Sequence, residues 1–503
     1  MDITKTLWRP EDLGKPIGGS QHAISACLPT WADVVGYEEG ENRVIGALQC
    51  GYPRFFIHPA VETLIQFLLK EKNLVNQCGL IFHSSKAAER ALGYLNDISN
   101  QKSNVYKFSR PSVNCFLVTV PKIFEKQARF YWRLSGEGVS SRLADYFLKS
   151  LQLQNVPTSS IDTSKTIDAI KEKLGVAYNI PNEDIYLFPS GMAAIFNLHE
   201  SIRRLKPNHQ QVQIGFPYVD TWKTLQTFGS SQSIEISMDS QRVKDFLQKE
   251  FQRKPISSIY CECPSNPLLE TPDPELLSEI SQQMNSFLII DDTIASSINI
   301  DPSPYADVIT TSLSKWFNGF GDLLAGSLML NPKGKNYNIL KKALDSHYSL
   351  DVFWQDLEIL NNHSNDYAIR VKEAGKNADH LVEWLNASPY TEKVFYCSKE
   401  KDPNYAKIAR PNSVNPALIS VVFDEKLVDP KLMYDHLEIS KGPSLGTSWS
   451  LVCPYTILAH YDELERVEQY GVAQNLIRIS CGAEKEGEII RKFDSAINKA
   501  LRR

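Results

Sequence analysis

Residues Thr310–Asn331 read TTSLSKWFNGFGDLLAGSLMLN. One lysine, Lys315, stands behind two serines at alternate positions, Ser312 and Ser314. A Gly-rich turn and a small apolar run follow it. A lysine at a strand end is most often a solvated lysine. The alternative is a nucleophile, because an amine held in an apolar cleft loses part of its preference for charge. A lysine that forms a Schiff base with a carbonyl cofactor needs other parts in the chain. Hydroxyls and backbone N–H groups must hold the cofactor's phosphate, and a carboxylate must face its ring nitrogen.

Those parts occur, in order, upstream and downstream. "SFLIIDDTIASS" ends an apolar strand in Asp291 and Asp292, either a solvated turn or, at Asp291, a partner for a protonated pyridine nitrogen. "LFPSGMAAIF" reads as a strand, then Ser190-Gly191-Met192, then a helix. Serine suits the N-cap, and a helix start with accessible amides is a ready phosphate site. An ordinary capped helix gives the same pattern. "GFPYVDTW" puts Tyr218 just past another strand, as a packing aromatic or one that stacks on a flat ring. "NLIRISCG" places Arg478 in an alternating strand. A partly buried arginine needs an acidic partner, and its planar fork suits an α-carboxylate. Each signal is weak alone; their order points to pyridoxal phosphate (PLP).

The surrounding pattern predicts an α/β fold. Between about 140 and 330, "IYLFPS", "QVQIGFP", "ISSIYCECP", "SFLIIDD" and "DVITTSLS" are short β-like runs. Helical patterns such as "GMAAIFNLHESIRRL" and "DPELLSEISQQM" separate them. The alternation argues for a mostly parallel sheet with crossover helices, and such sheets bind ligands at the carboxyl ends of their strands. After about 360 a helix-like stretch, "AIRVKEAGKNADHLVEWLN", leads into a mixed tail that reads as a smaller α+β domain. Residues 1–130 are rich in turns and aromatics, and their residue types suggest no chemistry. The expected divisions are 1–130, 131–360 and 361–503.

Bulk properties exclude several classes. The chain has 503 residues, 54 Lys plus Arg against 59 Asp plus Glu, and a net charge of −5. Nothing in that balance suggests a nucleic-acid partner. No apolar run is long enough for a membrane span, and the start, "MDITKTLWRPEDLGKP", lacks the apolar core of a signal peptide. Nine scattered cysteines read as reduced thiols of a cytoplasmic protein. The C-x-C of Cys261 and Cys263 reads as strand packing rather than a metal site.

The ordered set resembles the cystathionine γ-synthase / cystathionine γ-lyase family of PLP enzymes over roughly 130–503. It is most similar to the fungal branch, which has a long N-terminal extension like "SACLPTWADVVGYEEG…CGYPRFFIHP". The resemblance implies fold type I, with a seven-stranded-type sheet, and PLP as cofactor. It implies a catalytic set of Lys315, Tyr218 and Asp291. Ser312, Ser314, Gly191 and Met192 would hold the phosphate, with Asn266 of "CPSNPLLE" beside the ring. Tyr131 and Arg133 of "FYWRLSGEGVSSR" would reach the phosphate of a neighbouring subunit, making a homodimer or homotetramer. Ser450 of "SLGTSWSLVCPY" and Arg478 would hold the substrate α-carboxylate.

The implied reaction replaces the acyl-oxy group of an O-acylhomoserine by cysteine, giving cystathionine for methionine biosynthesis. Its rivals are γ-lyase, sulfhydrylase and specialised-metabolism chemistry with another nucleophile, and, from another class, a non-catalytic binding protein on the same fold. The sequence departs from the family at Asp292 (usually Asn), Trp449 (often Glu), Lys223 (Arg where succinylated substrates are used) and the loop "YVDTW". All four lie where the family sets specificity.

Overall fold

The computed structural model describes residues 6–51, 55–99, 103–110, 112–151, 162–229 and 233–502. Its centre is a seven-stranded sheet of β4 (Ile185–Phe188), β5 (Gln210–Ile214), β6 (Ile234–Glu235), β7 (Ile256–Glu262), β8 (Phe287–Asp291), β9 (Val308–Thr311) and β10 (Gly326–Leu330). The spatial order is β4-β10-β9-β8-β7-β5-β6. Strands β6, β5, β7, β8 and β9 run parallel to their neighbours, while β10 pairs antiparallel with both β9 and β4.

The parallel strands are near-continuous apolar runs because helices cover both faces of the sheet. Phe287, Leu288, Ile289 and Ile290 of β8 are all buried. Each such side chain contributes roughly 1.5–3 kcal/mol on leaving water. Helix Gly191–Leu205 buries Ala193, Ala194, Leu198 and Ile202 against this sheet and the helix Tyr337–His347. The mostly parallel sheet expected from the sequence is present. The small apolar run after Lys315 is its antiparallel strand β10.

The C-terminal part forms a second, five-stranded sheet. It comprises β11 (Thr391–Phe395), β12 (Leu418–Phe423), β13 (Ser440–Lys441), β14 (Leu451–Pro454) and β15 (Ile477–Ser480), in the order β11-β12-β15-β14-β13. The helix Tyr367–Ala387 leads into it, as its apolar periodicity indicates.

The first 130 residues make two separate pieces. Residues 59–121 carry the helix Pro59–Glu71 and a three-stranded antiparallel sheet of β1 (Gln77–Phe82), β2 (Asn104–Arg110) and β3 (Val113–Pro121). Their core is continuous with Leu143, Phe147 and Phe353 further on. Residues 6–51 instead run along the edge of the C-terminal sheet. Leu28 N–H donates to Lys441 O at 3.1 Å, and Lys441 N–H donates to Leu7 O at 3.2 Å. No helix among the described residues is long and apolar enough to cross a membrane.

Candidate active site

Four parallel strands deliver side chains to one cavity at their carboxyl ends. Tyr218 follows β5, Glu262 ends β7, Asp291 ends β8, and Ser312, Ser314 and Lys315 follow β9. Gly191 and Met192 enter from the start of helix Gly191–Leu205, Asn266 from the turn after β7, and Arg478 from β15. Nine of the sequence-selected residues therefore meet in one place: Gly191, Met192, Tyr218, Asn266, Asp291, Ser312, Ser314, Lys315 and Arg478.

The phosphate end is built by close approach. Ser190 caps its helix by accepting from Ala193 N–H at 3.0 Å, and its own hydroxyl donates to Gly136 O at 2.9 Å. Gly191 lies against Ser312: a Cβ at Gly191 would fall 2.9 Å from Ser312 Cβ and 3.2 Å from its hydroxyl oxygen. The helix start, with its partial positive charge, and the Ser312 side chain thus share one narrow space, which suits a phosphate. Ser314 lines the same cavity, but its hydroxyl both donates to Ala325 O at 3.2 Å and accepts from Ala325 N–H at 2.9 Å. It fixes the loop after Lys315.

The ring end is acidic. Strand alternation sends Asp291 into the cavity and Asp292 to the other face. Asp291 accepts from Thr293 N–H at 2.9 Å. Burial pushes its pKa up, and the Thr293 and Thr310 hydrogen bonds pull it back. A buried carboxylate in this position gains most from a cationic partner, which a protonated pyridine nitrogen supplies. Asp292 accepts from Tyr178 and Thr311, and burial raises its pKa to about 7. The neighbouring Glu262 accepts from the Tyr218 N–H and so fixes the start of the tyrosine helix. Its pKa is pushed far up by burial and by Asp291. The donor set therefore fits PLP: an amine, a helix start with hydroxyls, and a buried carboxylate.

Lys315 Nζ donates to Ser444 Oγ at 3.1 Å, which aims it across the cavity at the C-terminal part. Arg478 approaches from that side. Its guanidinium lies 4.8 Å from the centroid of the Tyr455 ring and donates to Pro443 O, to Ser444 O at 3.2 Å and to Asn266 Oδ1 at 3.4 Å. Asn266 is held in turn by Tyr455 OH, 3.1 Å from its Nδ2. The acidic partner expected for Arg478 is absent: among the described residues no carboxylate forms an ion pair with it. A buried guanidinium without a counter-ion, facing a cavity, suits a ligand carboxylate.

Three sequence-selected residues lie elsewhere. Tyr131 is 1% exposed and packs edge-on to Phe82, Phe196 and Phe228 of its own chain. Arg133 pairs with Asp220 at 2.8 Å and lies 4.1 Å from the Phe55 ring centroid. Neither lines the cavity of its own chain. Ser450 turns to Glu484, with Oγ 3.0 Å from Oε2, and also accepts from Gly482 N–H at 3.0 Å. Trp449 packs with Leu7, Ile17 and Cys27 of the N-terminal segment. The lining also contains residues that sequence reasoning missed: Glu262, Tyr455 and, from the N-terminal segment, Glu38 and Phe55. Only Glu262 left a sequence signal, a carboxylate inside the apolar run of β7.

Comparison with known proteins agrees with this geometry. The family described as Cys/Met metabolism PLP-dependent enzyme matches residues 165–498. The chain is 29% identical to the cystathionine gamma-synthase of Saccharomyces cerevisiae, over 96% of this chain and 98% of that one. It is also 29% identical to the cystathionine gamma-synthase-like enzyme iboG2 of Amanita muscaria, over 97% and 96%. Among solved structures it resembles the cystathionine gamma synthase of Xanthomonas oryzae pv. oryzae in complex with cystathionine. That match has a TM-score of 0.59 at 18% identity, covering 69% of this chain and 89% of that one, and it supports the type I fold. The chain belongs to the PLP-dependent enzymes of Cys/Met metabolism, and pyridoxal phosphate is its cofactor.

Proposed function

We propose that this protein exchanges the acyl-oxy group of an O-acyl-L-homoserine for the sulfur of L-cysteine, giving L-cystathionine and the free carboxylic acid. One observation carries the reading. Arg478, without a carboxylate of its own among the described residues, faces the same cavity as Lys315 and Asp291. That arrangement suits an amino acid held by its α-carboxylate with Cα near an amine. The full-length similarity to a cystathionine gamma-synthase supports the γ-replacement.

Bound PLP supplies an electron sink for the negative charge that develops at Cα. The protein's own groups do the rest. Arg478 takes the α-carboxylate in its fork and fixes the orientation of Cα. Asp291 would face the ring nitrogen of the bound cofactor and favour its protonated form. Gly191, Met192 and Ser312 would hold the phosphate, Asn266 orients Arg478, and Tyr218 would stand beside the ring. Lys315 Nζ takes the proton from Cα and later returns one. A proton leaves Cβ, the Cγ–O bond breaks, and the acyl group departs as carboxylate. The cysteine sulfur then bonds to Cγ, Cβ and Cα regain protons, and the thiol proton leaves with the carboxylic acid.

The test is a product assay on the PLP-loaded protein. O-Acetylhomoserine with cysteine is expected to yield cystathionine by mass. Cysteine-independent 2-oxobutyrate as the sole product would replace this reading with elimination or another nucleophile. The resemblance also carries the proposal of a homodimer or homotetramer. Light scattering of the loaded protein should give a mass of two chains or more, and a single-chain mass would overturn it.

A further inference from the structure

The N-terminal segment contributes a wall to the cavity. Helix Trp31–Glu38 packs on helix Tyr455–His460, whose Tyr455, Leu458 and Ala459 line the same space. Several contacts fix it there. Trp31 N–H donates to Asp435 Oδ1 at 2.7 Å, Tyr434 OH to Leu28 O at 2.9 Å, and Tyr461 OH to Glu39 Oε1 at 2.6 Å. The last residue of this helix, Glu38, lines the cavity, as does Phe55.

Glu38 stands apart from the groups that bind the amino-acid head. Arg478 is fixed by Pro443, Ser444 and Asn266. The charged groups facing Glu38 are Arg133 on helix Glu125–Ser135, Lys223 on helix Val219–Phe228 and Asp462 on the turn Tyr461–Glu463. The Tyr37 and Tyr461 hydroxyls also feel its charge. Arg133, the nearest cation by effect, is already paired with Asp220. The rest of this wall, Phe55, Val219, Leu458 and Ala459, is apolar.

We propose that Glu38 is a specificity-determining residue, which faces the end of the substrate remote from its α-carboxylate and selects against a second negative charge there. The assignment rests on Arg478 binding the α-carboxylate, as in the proposed function. It places uncharged γ-acyl groups among the substrates and disfavours dicarboxylic or phosphorylated ones wherever Glu38 is ionised. An anion brought against an ionised Glu38 meets like charge at low dielectric. Burial pushes the Glu38 pKa up to about 8, with Arg133 pulling it down. Repulsion is therefore half-developed near pH 8, strengthens above it as Glu38 ionises and fades below it as Glu38 is protonated.

The test uses ligands without a leaving group, so it does not depend on γ-replacement. PLP-loaded wild-type protein and E38Q are titrated with norleucine and with 2-aminoadipate, following the cofactor's absorbance, between pH 6.5 and 9.5. Both ligands share the same α-amino and α-carboxylate groups, so their titration cancels in the affinity ratio. Wild type is expected to favour norleucine by at least about tenfold at high pH. That ratio should shrink as pH falls through about 8. In E38Q it should be smaller and independent of pH, whereas E38D, which keeps the charge, should restore the trend. The same ratio and pH trend in wild type and E38Q would overturn the assignment, whatever the product assay shows.

Discussion

At the scale of single residues, the chemistry rests on pairing at the ends of the cavity. Arg478 is held by carbonyl oxygens and an aromatic face, and in the proposed function its fork is completed by a ligand carboxylate. Arg478→Lys keeps the charge but loses bidentate geometry and the stacking on Tyr455. We expect KM for the amino-acid donor to rise about ten- to hundredfold with kcat less affected, measured by steady-state kinetics. An unchanged KM would mean that the carboxylate binds elsewhere. Lys315, Asp291, Tyr218 and Arg478 were legible because each stands at or near a strand end, where a polar residue interrupts an apolar pattern. Ser450 and Tyr131 show the limit of that logic. Motif position singles them out, but the local fold turns Ser450 towards Glu484 and buries Tyr131 among aromatics. Glu38 was illegible because what makes it notable is its place on the cavity wall, which segments distant in sequence complete.

At the scale of elements, the phosphate end depends on a helix start packed hard against a strand end. Gly191→Ala puts a methyl group 2.9 Å from Ser312 Cβ and 3.1 Å from its backbone Cα, so the helix and the strand end must separate. Overpacking of this kind costs about 1–3 kcal/mol, or about five- to 150-fold in PLP affinity if it falls on the cofactor site. Equilibrium dialysis of the apo variant against PLP measures it, and wild-type affinity would refute the crowding argument. The parallel strands were readable as apolar runs between helical periods. Strand β10 was read only as a buried run, because its antiparallel pairing with β4 joins segments distant in sequence. The three-stranded sheet of residues 77–121 was missed because its strands alternate poorly: β2 is mostly exposed or half-buried along its length.

At the scale of the whole molecule, a buried lysine joins the N-terminal segment to the C-terminal sheet. Lys441 is fully buried, and its Nζ donates to Pro29 O at 2.7 Å, Asp435 O at 3.0 Å and Trp8 O at 3.4 Å. Burial lowers its pKa from 10.5 to about 8, with Asp435 opposing. Between those values the unfolded chain binds a proton that the folded one has lost, so this residue makes stability rise with pH from about 8 to about 10.5. The full effect is on the order of 3 kcal/mol. Lys441→Met has no such group. Urea unfolding at pH 8 and pH 10 should show the stability difference, wild type minus variant, becoming more favourable to wild type at the higher pH. A difference independent of pH would place Lys441 in contact with water. No feature of "EISKGPS" around Lys441 marks it as buried. Its burial is completed by residues 7–29, which the sequence could not place against the C-terminal sheet.

The account turns on Lys315 as the residue that bonds the cofactor and moves the substrate proton. The most direct measurement is reduction of the PLP-loaded protein with sodium borohydride, followed by proteolysis and mass spectrometry. The predicted result is one phosphopyridoxyl adduct, on the peptide containing Lys315, and none in Lys315→Ala. An adduct on any other lysine of the wild-type protein, or a modified peptide that persists in Lys315→Ala, would contradict the account.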